Sequence, residues 1–155
     1  MPQDITPGTP APDFDLPTAG DGRVALSNLR GRKVVLYFYP KDDTPGCTKE
    51  GIAFSEALDD FEAAGATVVG VSKDPVAKHD KFAAKHDLKV LLASDADGTT
   101  CEDYGTWVEK NMYGKTYMGI ERATFLIDGE GIVREVWRKV KVPGHVDAVL
   151  EAVRR

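Results

Sequence analysis

A run of six apolar, β-branched and aromatic residues at positions 34–39 places the strongest constraint on the fold of this chain. The run is Val-Val-Leu-Tyr-Phe-Tyr, and it lacks the alternation of polar and apolar residues that a strand with one solvent-facing side shows. Such a run is typical of a strand that is buried on both faces in the middle of a sheet. It therefore predicts a central strand.

Strand and helix patterns alternate after this run. Apolar residues recur at helical spacing over about 47–63, a second strand pattern covers 67–71, and a second helix pattern covers 74–86 before a short extended segment at 90–92. This alternation predicts parallel strands joined by crossover helices. The remaining segments are a short hairpin over 14–26, a helix starting at 99–102, an irregular stretch over 107–119, a hairpin over 123–137 and a C-terminal helix. The order predicts an α/β, thioredoxin-like fold with a central mixed β-sheet flanked by helices and an N-terminal hairpin extension.

Size and composition limit the classes of protein. A chain of 155 residues with 42% hydrophobic residues can bury a core as one domain over 1–155. The formal charge of −5 and the dispersed basic residues argue against a nucleic-acid partner. No segment is apolar for long enough to cross a membrane, and residues 1–4 do not begin a secretory leader, so we expect a cytoplasmic protein without membrane association. Two cysteines indicate reduced thiols rather than a disulfide framework.

No metal site and no cofactor are expected. His79 and His86 lie seven residues apart on one predicted helix without nearby carboxylate or cysteine ligands, which favours a solvated helix face. The Asp- and Gly-containing segment 95–98 lacks the downstream glutamate of a calcium loop. We interpret it as a turn that leads into a helix capped by Thr99.

Cys47 lies where the central strand ends and a helix begins. Thr44 suits the N-cap position and Pro45 the first helical position, so that Cys47 occupies the third. Unpaired backbone N–H groups and the positive end of the helix dipole stabilise an anion there, which favours the thiolate form of the sulfur. Because the thiolate is the nucleophilic form of cysteine, Cys47 is the candidate nucleophile.

The chain resembles the peroxiredoxins over essentially its whole length, and specifically the group called bacterioferritin comigratory protein or peroxiredoxin Q. The most specific motif is Pro-x-x-x-Thr-x-x-Cys, here Pro40, Thr44 and Cys47, with Glu50 following at the interval usual in the family. The later segment 121–128, Glu-Arg-Ala-Thr-Phe-Leu-Ile-Asp, resembles the part of the family that carries the active-site arginine.

The resemblance implies a thiol peroxidase that acts on hydrogen peroxide and organic hydroperoxides. It implies that Cys47 attacks one peroxide oxygen and becomes a sulfenic acid. Thr44 would form a hydrogen bond to the thiolate or the peroxide, and Pro40 would shield the site from water. Backbone N–H groups near Gly46 would hold the second oxygen while negative charge develops on it.

Two charged residues complete the implied site. Arg122 would stabilise both the thiolate and the departing oxygen, because its guanidinium stays protonated at every relevant pH. Glu50 would orient that arginine. The sequence alone also allows Arg122 to be a surface charge at a strand entrance and Glu50 to be a solvated charge in the first turn of a helix.

The sequence indicates less clearly how the sulfenic acid of Cys47 is reduced back to the thiol. Many members of the group carry a resolving cysteine five residues after the first, where this chain has Ile52, and the helix over 75–86, which holds it in another variant, contains none. Cys101 is the only internal candidate, although acidic neighbours disfavour its thiolate. We expect a one-cysteine cycle regenerated by thioredoxin, glutathione or another external thiol, with Cys101 as the alternative resolving residue.

Two other functions stay open at this point. A general thiol-disulfide oxidoreductase normally has Cys-x-x-Cys, but position 50 is Glu. A redox-sensing or holdase module would use oxidised Cys47 as a signal to a partner. No long exposed apolar helix requires a second subunit, so we expect a monomer, with a dimer as the alternative.

Overall fold

A seven-stranded sheet forms the centre of the computed structural model, which describes residues 5–155; residues 1–4 lie outside the described part. The strands are β1 (Asp15–Thr18), β2 (Gly22–Ala25), β3 (Lys33–Phe38), β4 (Ala66–Ser72), β5 (Leu91–Ser94), β6 (Trp107–Met112), β7 (Lys115–Ile120), β8 (Ala123–Ile127) and β9 (Val133–Trp137). The helices are α1 (Pro45–Glu56), α2 (Leu58–Ala63), α3 (Val76–His86), α4 (Thr100–Asp103) and α5 (His145–Arg154), with a 3-10 turn at Leu26–Leu29. The order across the sheet is β2-β1-β5-β4-β3-β8-β9, and β6 and β7 form a separate two-stranded sheet.

Strand β3 lies inside this sheet, as the continuous apolar run predicts. It pairs in parallel with β4 and antiparallel with β8. Successive side chains of a strand point to opposite faces, and here Val35 and Tyr37 enter one core while Val34 and Leu36 enter the other. The parallel pairs β3–β4 and β4–β5 confirm the crossover pattern predicted from the alternation of strands and helices.

The two faces of the sheet are covered differently. One core receives Phe54 of α1, Phe61 of α2, Phe82 of α3 and Val149 of α5. The other core contains side chains from the N-terminal hairpin region, from α4 and from β8, among them Leu16, Val24, Cys101, Tyr104 and Phe125. This arrangement confirms the predicted mixed sheet with flanking helices and an N-terminal hairpin.

Two sequence predictions about elements were wrong. The stretch 107–119 is not irregular but forms the β6–β7 hairpin, which turns at Tyr113 and Gly114, both with positive φ. Its strands face solvent on much of their surface, so they lack the buried stripe from which strands are recognised in a sequence. The single helix predicted over 47–63 is interrupted at Ala57 and continues as α2.

Within residues 5–155 every helix is too short or too polar to cross a bilayer. Large exposed apolar side chains are concentrated on the β6–β7 hairpin. Met112, Tyr113, Tyr117 and Met118 are each at least 44% exposed there.

Candidate active site

The sulfur of Cys47 lies in the first turn of α1, immediately beyond the end of β3. Helix α1 begins at Pro45 after Thr44, whose extended backbone is that of an N-cap residue. Cys47 is therefore the third helical residue, and it is only 2% exposed. The carbonyl of Thr44 accepts the first helical hydrogen bond from the N–H of Thr48, at 2.8 Å.

Arg122 contacts Cys47 from the short connection between β7 and β8. Its Nη2 donates to Cys47 Sγ at 3.4 Å, and its Nη1 donates to Glu50 Oε1 at 2.7 Å. Cys47 and Glu50 are three residues apart on α1 and so lie on one face of the helix. The planar guanidinium thus spans two acidic groups of the same helix turn.

Gly46 favours this close approach of Arg122 to α1. A Cβ atom at position 46 would lie 3.0 Å from Nη2 of Arg122, which is closer than almost any ordinary carbon contact. The absent side chain leaves room for the guanidinium over the first turn of α1.

Glu50 is fully buried, which makes its charge sensitive to its surroundings. Burial raises its pKa to about 7, although Arg122 acts in the opposite direction. Its Oε2 has no hydrogen-bond partner among the residues that the structure describes. Burial by itself would lower the pKa of Arg122, but Glu50 and Cys47 raise it above its usual value, so the guanidinium remains charged.

Thr44 lies in the predicted place, but its hydroxyl group is directed elsewhere. Thr44 Oγ1 donates to the carbonyl of Lys41 at 2.8 Å and makes no side-chain cap to α1. A hydroxyl has one hydrogen, so in this arrangement Thr44 cannot donate to the thiolate of Cys47. Its oxygen still offers a lone pair to a ligand.

Pro40 and Arg122 line an open cleft whose other walls come from strand β6 of the β6–β7 hairpin and from Glu121, Lys139 and Val140. Lys110 of β6 is part of this wall. Burial lowers the pKa of Lys110, and the positive charge of the nearby Arg122 lowers it further. The hairpin that sequence analysis did not recognise therefore forms one side of the approach to the site. The exposed Met118, which lines the adjacent cleft with Pro40, belongs to the same hairpin.

His145, at the start of α5, is a second residue that the sequence did not reveal. Its Nε2 lies 2.7 Å from the hydroxyl of Thr124, two residues after Arg122. Burial, followed by the charge of Arg122, lowers the pKa of His145 to about 4, so the imidazole is neutral at neutral pH. A neutral ring adds no second positive charge in the neighbourhood of Arg122.

His79 contradicts the prediction of a solvated helix face. It is fully buried on α3, and its ring bonds to Asp42 and to the carbonyl of Ala93. His86 is half-buried and bonds to the carboxylate of Asp43. The sequence contains one indication of these contacts. Two acidic residues, Asp42 and Asp43, follow β3, and the two histidines of α3 are seven residues apart, which places their rings on nearly the same face of the helix.

Cys101 does not take part in this arrangement. It is fully buried in the core on the face of the sheet opposite to that of Cys47, and both cysteines are free thiols. Burial, followed by the charge of Asp95, raises the pKa of Cys101 well above its usual range. Neither its location nor its protonation state favours a reaction with Cys47.

Comparison with known proteins agrees with this geometry. A sequence model described as the AhpC/TSA family matches residues 7–136, most of the chain. The chain belongs to the AhpC/TSA family. A Coxiella burnetii protein described as a putative peroxiredoxin Bcp is 53% identical over 146 residues, which cover 94% of this chain and 97% of the relative. The predicted membership of the Bcp/peroxiredoxin Q group of peroxiredoxins is confirmed.

Solved structures extend this AhpC/TSA assignment to the fold. A PrxQ variant from Xylella fastidiosa superposes with a TM-score of 0.93 at 40% identity, covering 98% of this chain and 97% of its own. The bacterioferritin comigratory protein of Xanthomonas campestris, described in connection with alkyl peroxide reduction activity, gives a TM-score of 0.89 at 46% identity, with coverages of 97% and 98%. These structures confirm the thioredoxin-like fold, and the family confirms the predicted enzyme class, a thiol-dependent peroxidase.

Proposed function

We propose that this peroxiredoxin reduces hydrogen peroxide and organic hydroperoxides with Cys47 as the reacting thiol. The observation that carries this proposal is the single guanidinium of Arg122, which contacts both Glu50 and the Sγ of the buried Cys47. The thiolate attacks the terminal peroxide oxygen, the O–O bond breaks, and Cys47 becomes a sulfenic acid. The departing oxygen leaves as alkoxide or hydroxide and takes up a proton to give alcohol or water.

Negative charge on the departing oxygen needs donors close to the sulfur. Arg122 supplies one, and the backbone N–H groups of Gly46 and Cys47 supply two more, since neither donates to a protein acceptor among residues 5–155. Thr44 accepts the peroxide O–H, because its own hydrogen is engaged by Lys41. Pro40, at the edge of the cleft, limits the access of water to the sulfur, and Glu50 keeps Arg122 in place.

The test is the rate at which the fully reduced protein reacts with peroxide in a stopped-flow instrument. We expect the wild-type protein to react orders of magnitude faster than free cysteine, Cys47→Ser to abolish this fast phase, and the matched variant Cys101→Ser to retain it. A wild-type rate equal to that of free cysteine would refute the proposal.

We further propose a one-cysteine cycle in which an external thiol, such as thioredoxin, reduces the sulfenic acid. The two cysteines belong to cores on opposite faces of the sheet, and an internal disulfide would require the Cα atoms to come within about 7 Å. We also propose that the protein is cytoplasmic, since its two cysteines lie in separate cores and form no structural disulfide. We expect it to act as a monomer, which sedimentation velocity can test.

Mass spectrometry after one equivalent of peroxide separates the two cycles. We expect sulfenic or sulfinic acid on Cys47 and an unmodified Cys101. A mass loss of two hydrogens that maps to a disulfide between Cys47 and Cys101 would establish Cys101 as the resolving residue and overturn the one-cysteine cycle.

A further inference from the structure

A buried hydrogen-bond network lies directly behind the segment that connects β3 to α1. The hydroxyl of Tyr39 donates to Oδ1 of Asp42 at 2.6 Å, and Oδ2 of the same carboxyl group bonds to Nδ1 of His79. The other ring nitrogen of His79 lies 2.9 Å from the carbonyl oxygen of Ala93 in β5. The side chains of Tyr39, Asp42 and His79 are all at most 2% exposed. None of them belongs to the proposed reaction.

The partners determine how many protons the network holds. A carbonyl oxygen only accepts, so Nε2 of His79 carries a hydrogen. The contact between Nδ1 and Oδ2 of Asp42 requires another hydrogen, because two lone pairs would otherwise face each other. The pair is therefore an imidazolium with a carboxylate, or a neutral imidazole with a carboxylic acid. Either form has zero net charge, which avoids the large desolvation penalty of an isolated buried charge.

The network is mechanically connected to the start of α1. The backbone N–H of Asp42 donates to Asp74 at 2.7 Å, so the main chain and the side chain of Asp42 are both held. Two residues later, Thr44 bonds through its hydroxyl to the carbonyl of Lys41 and through its own carbonyl to the N–H of Thr48. A displacement of Asp42 is thus transmitted to the first turn of α1.

A second connection between the same segments is weaker. The carboxylate of Asp43 accepts hydrogen bonds from Lys85 and His86 at the end of α3, but it is 41% exposed. Exposed ion pairs contribute little to stability because water and salt screen them. The buried pair is therefore the principal attachment of this segment to α3.

We propose that Asp42 and His79 are positioning residues for the peroxide reaction. The hydrogen bond between their side chains holds the segment 40–44 against α3 and keeps the first turn of α1 in the geometry that the reaction needs. This inference rests on the proposed role of Cys47.

Two matched tyrosine variants test the positioning role. Tyr39→Phe and Tyr104→Phe each remove one buried hydroxyl that makes a 2.6 Å hydrogen bond, but Tyr104 bonds to Pro12 in the opposite core. We expect Tyr39→Phe to lower the second-order rate constant for peroxide oxidation about tenfold, because small misplacements of reacting groups are costly. Tyr104→Phe should stay close to the wild-type rate. Equal rates for the two variants, both folded, would overturn the positioning role.

Asp42 variants test the same role by rescue. In Asp42→Asn the amide oxygen can accept from Tyr39 while the amide nitrogen donates to Nδ1, so every hydrogen bond of a neutral His79 is retained. We expect this variant to keep most of the wild-type rate, whereas Asp42→Ala should lose about 100-fold. Loss of the rate in both variants would contradict positioning by hydrogen bonds. Where Asp42→Ala does not fold, the two tyrosine variants decide.

NMR spectroscopy tests the shared proton independently of activity. We expect a proton signal far downfield of the amide region that disappears in Asp42→Asn, together with ¹⁵N and ¹³C shifts of a protonated Nδ1 in His79 or of a protonated carboxyl group in Asp42. A ¹⁵N shift typical of an unprotonated Nδ1 together with a ¹³C shift typical of an ionised Asp42 carboxylate would overturn it. A wild-type protein that reacts no faster than free cysteine would refute the proposed function and leave this measurement valid.

Discussion

Arg122 contacts two acidic groups with two nitrogens of one planar group, and a lysine cannot reproduce this. A lysine ammonium at position 122 is a single point charge that can serve Cys47 or Glu50 but does not present two fixed donors. We predict that Arg122→Lys lowers the peroxide rate constant about 100-fold, the typical loss when one preorganised donor is removed. Stopped-flow oxidation of the reduced protein measures it. The control is Arg134→Lys on the exposed end of β9; a similar loss in both variants would contradict the prediction.

Glu50 makes stability depend on pH. Because burial raises its folded-state pKa to about 7 from an ordinary value of 4.5, the folded protein binds more protons than the unfolded chain between these pH values. Stability contributed by Glu50 is therefore lost as pH rises through that window. Glu50→Gln removes this titration. The free energy of unfolding of the variant, relative to that of the parent protein, should therefore increase by about 3 kcal/mol between the lower and the higher pH of this window.

Urea unfolding of both proteins at the two ends of the window checks this prediction. A Cys47→Ser background in both proteins keeps the thiol from titrating. If the difference in unfolding free energy between parent and variant is the same at both pH values, Glu50 does not titrate with a raised pKa.

At the level of elements, the cap of α4 is provided by Asp95 and not by the residue that the sequence pattern indicated. Thr99 occupies the N-cap position, but its hydroxyl bonds to Asp103 rather than to the backbone. The buried carboxylate of Asp95 accepts the N–H groups of Thr100 and Cys101 at 3.0 and 2.8 Å. The segment before the helix thus folds back so that Asp95 caps α4, which the presence of Thr99 at the start of the helix does not reveal.

Two nearby substitutions should therefore differ greatly in how much they destabilise the protein. We predict that Asp95→Ala destabilises the protein by about 3 kcal/mol, because two backbone donors and the ammonium of Lys73 lose a buried partner. Thr99→Ala should cost less than about 0.5 kcal/mol, as for most surface substitutions. Urea unfolding measures both free energies, and equal costs would contradict the structural cap.

At the level of the whole molecule, the alternating side chains of β3 connect the cores on the two faces of the sheet. If one core unfolded together with β3, the other core would lose the β3 side chains that it contains. We therefore propose that the chain unfolds as one domain. Trp107 packs against one core and Trp137 against the other. The two tryptophans therefore report on different faces of the sheet.

We predict that Trp107→Phe and Trp137→Phe, each retaining one tryptophan, unfold in a single transition. In each variant the fluorescence of the remaining tryptophan and the far-UV circular dichroism should give the same midpoint in urea. A fluorescence transition that precedes the loss of circular dichroism in either variant would show that one core opens separately.

The sequence alone determined the features that depend on neighbouring residues. The central strand follows from an uninterrupted apolar run, the helices from their spacing, and the position of Cys47 in the first turn of α1 from Thr44 and Pro45. These patterns act over a few residues, so they are visible without the fold. The resemblance of segment 121–128 to the family also pointed to Arg122, although no sequence spacing connects this residue to Cys47, 75 residues earlier.

Only the tertiary structure decided which distant groups meet. In the structure, Arg122 contacts both Cys47 and Glu50, and Cys101 lies on the opposite face of the sheet. His79 is buried against Asp42, and the β6–β7 hairpin lies beside the cleft. These outcomes depend on how the sheet and helices pack, since burial and long-range hydrogen bonds arise from contacts between segments. A histidine on α3 has the same local sequence whether it faces solvent or a carboxylate, and the packing of α3 against the sheet and the segment after β3 determines which.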